Sequence, residues 1–150
     1  MSQIEWDRYF INLVKEVSKK SKDRSTKVGA VIVGPDNQIV STGFNGFPIG
    51  VNDDVEERHE RPAKYDWTEH AERNAIYLAA RRGGVPLEGC TMYLMYAPSP
   101  CVRCSRAVIQ VGIKELVVPD ENEWNGTLDC EFERALEMLK EAGVKIRRIG

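Results

Sequence analysis

Apolar residues near the start of the chain recur at intervals of three and four positions, which predicts an amphipathic helix. These residues are Trp6, Tyr9, Phe10, Leu13, Val14 and Val17. The next apolar segments, "KVGAVIVG" and "QIVSTGF", are short and β-branched. They flank the turn residues "PDN" at 35–37, so this part of the chain is predicted to form a β-hairpin.

Residues 45–67 are rich in Gly, Pro, Asn and charge and show no sustained period, so we expect a long irregular loop, a feature that is often functional. Three further helices are predicted: one from an N-cap at Thr68 to Gly83 and Gly84, one with Ser99 as N-cap and Pro100 as first residue, and one at about 129–142. Strands are predicted at 91–96 and 115–118, and "VKIRRI" is predicted to be an edge strand. After the first helix the order is ββαβαβαβ. This order predicts an α/β fold with one five-stranded mixed sheet covered by helices.

The length and charge of the chain restrict the kinds of partner it can have. Its 150 residues suit a single domain that spans 1–150. With 21 Lys and Arg against 23 Asp and Glu, it has no excess of cations for a polynucleotide, so a small-molecule substrate is favoured. No stretch approaches the roughly 18–20 apolar residues of a membrane span, and the N-terminus lacks a signal pattern. We therefore expect a cytoplasmic protein with no membrane partner.

Four cysteines with uneven spacing, Cys90, Cys101, Cys104 and Cys130, favour a metal site in a reduced compartment over a disulfide framework. Cys101 and Cys104 are three residues apart at a predicted helix start, where backbone N–H groups and the helix dipole favour thiolates. His70 lies at the start of another predicted helix. If both helices leave adjacent strands in the same direction, the three side chains can bind one zinc ion.

Three protein ligands leave a fourth position for water, the arrangement of catalytic zinc sites. Glu72 is the predicted proton carrier, which takes a proton from water, passes it to a ring nitrogen and later protonates the departing amine. The segments His70-Ala71-Glu72 and Pro100-Cys101-Val102-Arg103-Cys104 form the HxE and PCxxC signature of zinc deaminases that act on nucleobases. The combined pattern is far more specific than a lone CxxC.

The cysteine pair has two other interpretations. A structural zinc knuckle would need a fourth ligand from Cys90, Cys130 or His59, and none of these has a second ligand at knuckle spacing. A redox dithiol would leave the proline and the HxE pair unexplained. We expect Cys90 and Cys130 to be semi-buried thiols and His59 to be solvated. Phe47 and Trp67 could stack on a base or fill the core.

Six segments, in order, resemble landmarks of the deoxycytidylate (dCMP) deaminases in the cytidine deaminase superfamily: "SKDRSTKVGAVIV", "GFNGFP", "NDD", "HAERNAI", "SPCVRC" and "VGIKELV". The resemblance covers nearly the whole chain. It implies a three-layer α/β/α sandwich of the cytidine deaminase type, hydrolysis of dCMP to dUMP and ammonia, and a homo-oligomer, dimer or hexamer. It also implies that His70, Cys101 and Cys104 hold one zinc per chain and that Glu72 transfers the proton.

The resemblance also implies contacts to the nucleotide. Asn45 matches the superfamily asparagine that touches the sugar, and Ala71 and Asn74 are further candidates in "HAERNA". A 5′-phosphate needs donors, and the loop "SKDRSTK" supplies hydroxyls and cations just before the first strand. The phosphate candidates are Lys22, Arg24, Ser25 and Thr26, with Arg103 and Arg106 as alternatives. Because some regulated relatives bind dCTP and dTTP, these are the candidate effectors.

Two alternatives to dCMP deamination stay open at this point. The same chemistry could act on a modified cytidylate, on free cytosine or guanine, or on adenosine in transfer RNA. A zinc-stabilised module that binds nucleotides without turnover is the alternative from another class, although such a module has no need of Glu72. The stretch "RPAKYDWTEH" and the extra proline of "APSPC" depart from the family pattern where the substrate would bind.

Overall fold

The computed structural model of the protein describes residues 1–81, 83–124 and 131–150. Its elements are α1 (Gln3–Ser18), β1 (Gly29–Val33), β2 (Ile39–Phe44), a 3-10 helix (Glu56–His59), α2 (Lys64–Trp67), α3 (Ala71–Arg81), β3 (Thr91–Leu94), α4 (Val102–Gln110), β4 (Glu115–Pro119), α5 (Phe132–Glu141) and β5 (Lys145–Ile149). Within these ranges, no helix has the length and apolar character needed to cross a bilayer.

The five strands form one mixed sheet in the order β2-β1-β3-β4-β5. Strand β1 pairs antiparallel with β2 and with β3, whereas β3, β4 and β5 are parallel. The predicted five-stranded mixed sheet and the predicted edge position of the last strand are both confirmed. Because β3 and β4 are parallel, the helices that follow them lie on the same face of the sheet.

Helices cover both faces of the sheet and make the predicted three-layer sandwich. On one face α1 is the helix that packs within the described part of the chain, with Phe10 and Val14 against the β1 residues Val31 and Val33. The other face is covered by α3, α4 and α5. Its core contains Ala30, Ile32, Ala75, Cys90, Met92, Val108, Leu116 and Leu139. Alternate residues of β1 therefore serve the two layers, as the two-residue period of a strand requires.

Helix α3 approaches β2 closely because Gly43 has no side chain. A Cβ atom at Gly43 would lie 2.4 Å from the carbonyl oxygen of Ala71 and 2.4 Å from the amide nitrogen of Ala75. Protein interiors leave no room for such an overlap, so a larger residue would displace the first turns of α3. This contact fixes the end of α3 at which His70 and Glu72 lie.

The segment predicted as an irregular loop, 45–67, contains the 3-10 helix and the single turn of α2. Aromatic contacts hold it together: Phe47 stacks on His59 with ring centroids 4.8 Å apart, and the Arg58 guanidinium lies 4.0 Å from the Trp67 ring centre. His59 is half-buried and its Nε2 lies 2.6 Å from the Asp53 carbonyl oxygen. The prediction of a solvated His59 was therefore wrong, because a loop this long forms a small core of its own.

Two predicted helix starts were wrong by two or three residues. Thr68 ends α2, with its N–H bonded to the Lys64 carbonyl, and α3 begins only at Ala71. Helix α4 has Cys101 rather than Ser99 as its N-cap, since the Cys101 sulfur accepts from the Cys104 N–H at 3.5 Å. The sulfur takes the role that a hydroxyl or carboxylate oxygen usually has. The strand predicted to reach residue 96 ends at Leu94, and the predicted start of the last helix near 129 lies outside the described residues.

Asp7 is a buried carboxylate that ties α1 to two strands. It accepts hydrogen bonds from the Tyr93 hydroxyl at 2.6 Å and from both terminal nitrogens of Arg147 at 2.9 and 3.1 Å. Burial alone would raise the pKa of Asp7, but the hydrogen bonds from Arg147, Tyr93 and Gln3 outweigh it and hold the pKa below its ordinary value of 3.8. The carboxylate is therefore stabilised in its charged form.

We expect Asp7→Ala to lower the free energy of unfolding by about 1–3 kcal/mol, because it leaves the Tyr93 hydroxyl without its buried partner. Arg147 loses one of its two carboxylate partners but keeps Glu115 at 3.1 Å. The pKa of Asp7 is lower in the folded than in the unfolded protein. The stabilisation by its carboxylate is therefore complete above the unfolded pKa of about 3.9 and is lost as the pH falls through the folded-state pKa. Urea unfolding of parent and variant between pH 3 and pH 7 measures both effects. Asp36→Ala, in the exposed hairpin turn, is the control, and an equal loss in the two variants would contradict the assignment.

Candidate active site

The structure brings together the three predicted zinc ligands. His70 directly precedes α3, and Cys101 and Cys104 occupy the N-cap and first turn of α4. The His70 Nδ1 atom lies 3.4 Å from the Cys101 sulfur and 3.3 Å from the Cys104 sulfur. All three ligand atoms lie within 4.8 Å of one another. The two helix starts therefore converge as predicted. The strands that precede α3 and α4 run in the same direction, as expected, but they are not adjacent, because β1 lies between β2 and β3.

The arrangement of these donors fits a zinc ion. A tetrahedral ion with zinc–sulfur and zinc–nitrogen bonds of about 2.3 and 2.0–2.1 Å would place a ligand nitrogen about 3.5 Å from a ligand sulfur. The nitrogen–sulfur distances of 3.4 and 3.3 Å agree with this geometry. Two sulfurs and one imidazole are also the ligand types that zinc prefers. The residues present thus match the cofactor in both spacing and chemistry.

The charge balance of the cysteine pair also favours a bound cation. A hydrogen bond from the Cys104 thiol lowers the pKa of Cys101 to about 3, with His70 as a second donor and burial opposing the shift. The same contact and burial raise the pKa of Cys104 well above its ordinary value. Because zinc is bound by deprotonated sulfur, the lowered pKa of Cys101 suits a metal ligand.

Glu72 is buried in the first turn of α3, with 8 % of its surface exposed, beside the three donors. Burial raises the pKa of its carboxyl group, and the nearby imidazole of His70 opposes that shift. A glutamate in this position can take a proton from water and return it to a substrate. Its position suits the predicted proton carrier.

A cavity of about 910 Å³ opens beside this group. Several predicted site residues line it: His70, Cys101, Glu72, Ala71, Asn45, Ser25 and Thr26. Cys104 is fully buried behind Cys101 and His70. The cavity therefore combines the candidate metal ligands and the proton carrier with much of the predicted substrate surface.

Three predicted contact residues do not line this cavity. Lys22 pairs with Asp53 at 3.0 Å and borders a separate cavity of about 270 Å³, while Arg24 pairs with Glu56. The Asn74 amide donates to the Phe44 carbonyl oxygen at 2.8 Å. The structure thus does not bring Lys22, Arg24 or Asn74 to the candidate substrate surface.

Asn45 holds the chain that enters β1. Its side-chain oxygen accepts from the Val28 N–H at 2.9 Å and its side-chain nitrogen donates to the Thr26 carbonyl at 2.9 Å. The Ser21 hydroxyl donates to the Asn45 carbonyl at 2.8 Å. A positioning role for this residue follows from the geometry, whereas its contact with a sugar stays a prediction.

Several cavity residues were not predicted from the sequence. Lys64 and Asp23 form a buried ion pair at 3.2 Å, and the Asp23 carboxylate also accepts from the Ser25 and Thr26 N–H groups at 2.9 and 3.0 Å. Tyr96 and Trp124 meet edge to face, with centroids 5.1 Å apart. The further lining residues of interest are Arg61, Lys64, Tyr65, Arg73, Tyr96 and Trp124. The cavity is also lined by Arg103, one of the two alternative phosphate candidates from the sequence. The sequence contains one indication of this part of the cavity wall: the segment "RPAKYDWTEH" departs from the family pattern. That departure does not assign a role to any of its residues.

Among the residues that the structure describes, Cys90 does not join the candidate zinc site. Cys90 is 3 % exposed within the core, and burial raises the pKa of its thiol, so it is more buried than expected. Cys130 lies outside the described residues. The prediction of a single zinc per chain stays a prediction.

Comparisons with known proteins agree with this site. The family model described as "Cytidine and deoxycytidylate deaminase zinc-binding region" matches residues 4–119. The chain is 34% identical over 150 residues to human deoxycytidylate deaminase, covering 97% of this chain and 80% of the relative. It is 38% identical over 146 residues to an uncharacterised deaminase of Aliivibrio fischeri, covering 94% and 91% respectively.

A solved structure supports the fold. The dCMP deaminase of cyanophage S-TIM5, crystallised with dCMP and dUMP, is 23% identical and superposes with a TM-score of 0.76 over 99% of both chains. The sheet order, the joined His70, Cys101 and Cys104, and the family match over residues 4–119 lead to one conclusion. The chain belongs to the cytidine and deoxycytidylate deaminase zinc-binding family.

Proposed function

We propose that this protein catalyses the zinc-dependent hydrolytic deamination of dCMP to dUMP and ammonia. The observation that supports the proposal best is the buried Glu72 beside His70 and the two cysteines, next to a cavity large enough for a nucleotide. Named deoxycytidylate deaminases among the relatives, from human and mouse, support the choice of substrate. The nucleotide is the proposed partner, and a homo-oligomeric assembly remains an expectation from the family.

His70, Cys101 and Cys104 would hold the zinc ion, which as a Lewis acid makes a water molecule nucleophilic at neutral pH. Glu72 accepts a proton from the attacking water as the C4–O bond forms, and delivers it to N3 of the base. It then takes the second proton of the water oxygen and gives it to the exocyclic amino group. The C4–N bond breaks, ammonia leaves and the C4 carbonyl of dUMP remains, so one water is consumed for each ammonia released.

The surroundings of Glu72 prepare it for this role. Because Glu72 lies in the first turn of α3 and lines the cavity, its side chain can reach both the space beyond the helix end and a base bound in the cavity. Burial keeps bulk water from competing for its proton. Tyr96 and Trp124 provide an aromatic wall on the same cavity, a surface against which a pyrimidine ring can pack.

The direct test is ammonia release from dCMP by protein with a measured zinc content. We expect one ammonia per dUMP, followed by the ultraviolet change of cytosine to uracil, with deoxycytidine, CMP, cytosine and guanine as poorer substrates. Guanine or cytosine turned over in preference to dCMP would replace the proposed substrate by a free base. A zinc-replete protein that releases no ammonia from any of them would favour the non-catalytic binding module.

A further inference from the structure

The loop predicted to bind the substrate phosphate is already occupied by internal contacts. Its cations face carboxylates: Lys22 pairs with Asp53 and Arg24 with Glu56. The N–H groups of Ser25 and Thr26 donate to the Asp23 carboxylate. A phosphate placed there would meet the negative charge of Asp23 and would have to displace these bonds. The internal contacts of the loop "SKDRSTK" therefore argue against its predicted role in binding the 5′-phosphate.

The cavity wall offers other cations. Four basic residues line it: Arg61, Lys64, Arg73 and Arg103. Lys64 is committed to Asp23 in a buried ion pair whose side chains are 11% and 9% exposed. Arg73 is committed to Glu69, with which it shares both a hydrogen bond and an ion pair. Breaking either partly buried pair would leave a carboxylate without its counter-charge, at a cost in stability.

Arg61 and Arg103 differ from Lys64 and Arg73 in their pairing. Neither side chain has a hydrogen-bond or ion-pair partner among the residues that the structure describes, and both are exposed at the same cavity. Each keeps all the donors of its guanidinium available, and this group matches a phosphate with two parallel hydrogen bonds. They also come from separate parts of the chain, one from the segment before α2 and one from the first turn of α4.

We infer that Arg61 and Arg103 bind the 5′-phosphate and determine the preference for a nucleoside monophosphate over a nucleoside. The inference rests on the proposed function, because it assigns the phosphate subsite of the same cavity. Glu72 and the zinc ligands fix the base end of the cavity, and the long side chains of Arg61 and Arg103 are the candidates for its phosphate end. Arg61 lies within "RPAKYDWTEH", the stretch that departs from the family pattern.

The test compares affinities for dCMP and deoxycytidine in a Glu72→Gln background with zinc bound, so that binding is measured without turnover. Arg61→Ala and Arg103→Ala are each expected to reduce the ratio of the two affinities by about 10- to 100-fold, the value of one charged hydrogen-bonding partner. Arg61→Lys should recover part of the loss, since it restores the charge but not the paired donors. Calorimetry gives both dissociation constants.

Three variants are matched controls. Arg106→Ala removes an exposed arginine of the same helix α4 that does not line the cavity, and Lys22→Ala and Arg24→Ala remove the cations of the loop. All three should keep the parent ratio. A ratio that falls in Lys22→Ala or Arg24→Ala but stays unchanged in Arg61→Ala and Arg103→Ala would overturn the inference.

Failure of the phosphate assignment can be distinguished from failure of the proposed function. The proposed function fails if the parent protein, fully loaded with zinc, releases no ammonia from dCMP. The phosphate assignment fails if the arginine variants leave the affinity ratio unchanged, whatever base the parent deaminates. A generally misfolded variant would lose affinity for deoxycytidine as well as dCMP, and retained zinc in each variant confirms that the site is intact.

Discussion

Glu72→Gln is expected to retain one zinc ion per chain and to lower kcat for dCMP by about 10²- to 10⁴-fold, the range for removal of a general acid–base group. Glutamine has nearly the shape of glutamate but can neither take a proton from water nor return one to the leaving amine. Because Glu72 is not one of the three clustered donors, the metal content should not change. Zinc analysis together with ammonia release distinguishes the two effects.

The control for this variant is Glu137→Gln on the exposed side of α5, which makes the same chemical change far from the cavity. It should keep both zinc and turnover. A Glu72→Gln protein as fast as the parent would show that another group transfers the proton. Loss of zinc in Glu72→Gln would instead place this carboxylate among the metal ligands, contrary to the family signature in which the glutamate is not a ligand.

The metal cluster could be predicted from the sequence because its information is local. The residue types of HxE and PCxxC are fixed by zinc chemistry, and both motifs lie at predicted helix starts, which can meet when the preceding strands run in the same direction. Strands β2 and β3 do run in the same direction, with β1 between them. The structure places the His70 nitrogen within 3.4 Å of both sulfurs. An error of two residues in the start of α4 did not matter, since the N-cap and the first turn face the same point.

The proposed phosphate contacts are only partly evident in the sequence, which offers Arg103 as an alternative candidate and does not single out Arg61. Lys22 and Arg24 are attractive in sequence because they are cations in a loop beside hydroxyls, but Asp53 and Glu56, which pair with them, lie about thirty residues further along the chain. Only tertiary structure shows that these charges are already used. Conversely, nothing in the sequence pattern distinguishes Arg61 from its charged neighbours. Its importance comes from its place at the cavity, where it has no partner among the described residues.

The structure of the long loop also could not be predicted from the sequence pattern. Residues 45–67 have no hydrophobic period, so no pattern predicts the 3-10 helix, α2 or the small core of Phe47, His59 and Trp67. Elements of four residues are too short for a repeating signal. Their placement depends on stacking and on the buried pair of Lys64 with Asp23, which connects α2 to the loop before β1. The substrate wall is therefore the part of the site that sequence reasoning determined least.

Cys104→Ala is expected to remove the zinc ion and to reduce dCMP turnover to background. Cys104 is fully buried and its sulfur lies 3.3 Å from His70 Nδ1, so its loss leaves two donors, one fewer than catalytic zinc sites use. Bound metal stabilises the folded state by about 4 kcal/mol when free zinc is 1,000 times its Kd, which corresponds to roughly 8–16 °C in Tm for a chain of this size. Added zinc should therefore raise the Tm of the parent and leave that of Cys104→Ala nearly unchanged.

Cys90→Ala is the matched control, because it removes another buried cysteine that lies in the core instead of the ligand cluster. It should lose about 1 kcal/mol of stability, a typical value for a single substitution, and keep both its zinc and the zinc-dependent rise in Tm. Metal analysis and calorimetric melting with and without a chelator measure these differences. Retention of a full zinc complement and normal turnover by Cys104→Ala would refute the three-ligand site, because a buried pair of His70 and Cys101 cannot alone enforce the geometry that makes water reactive.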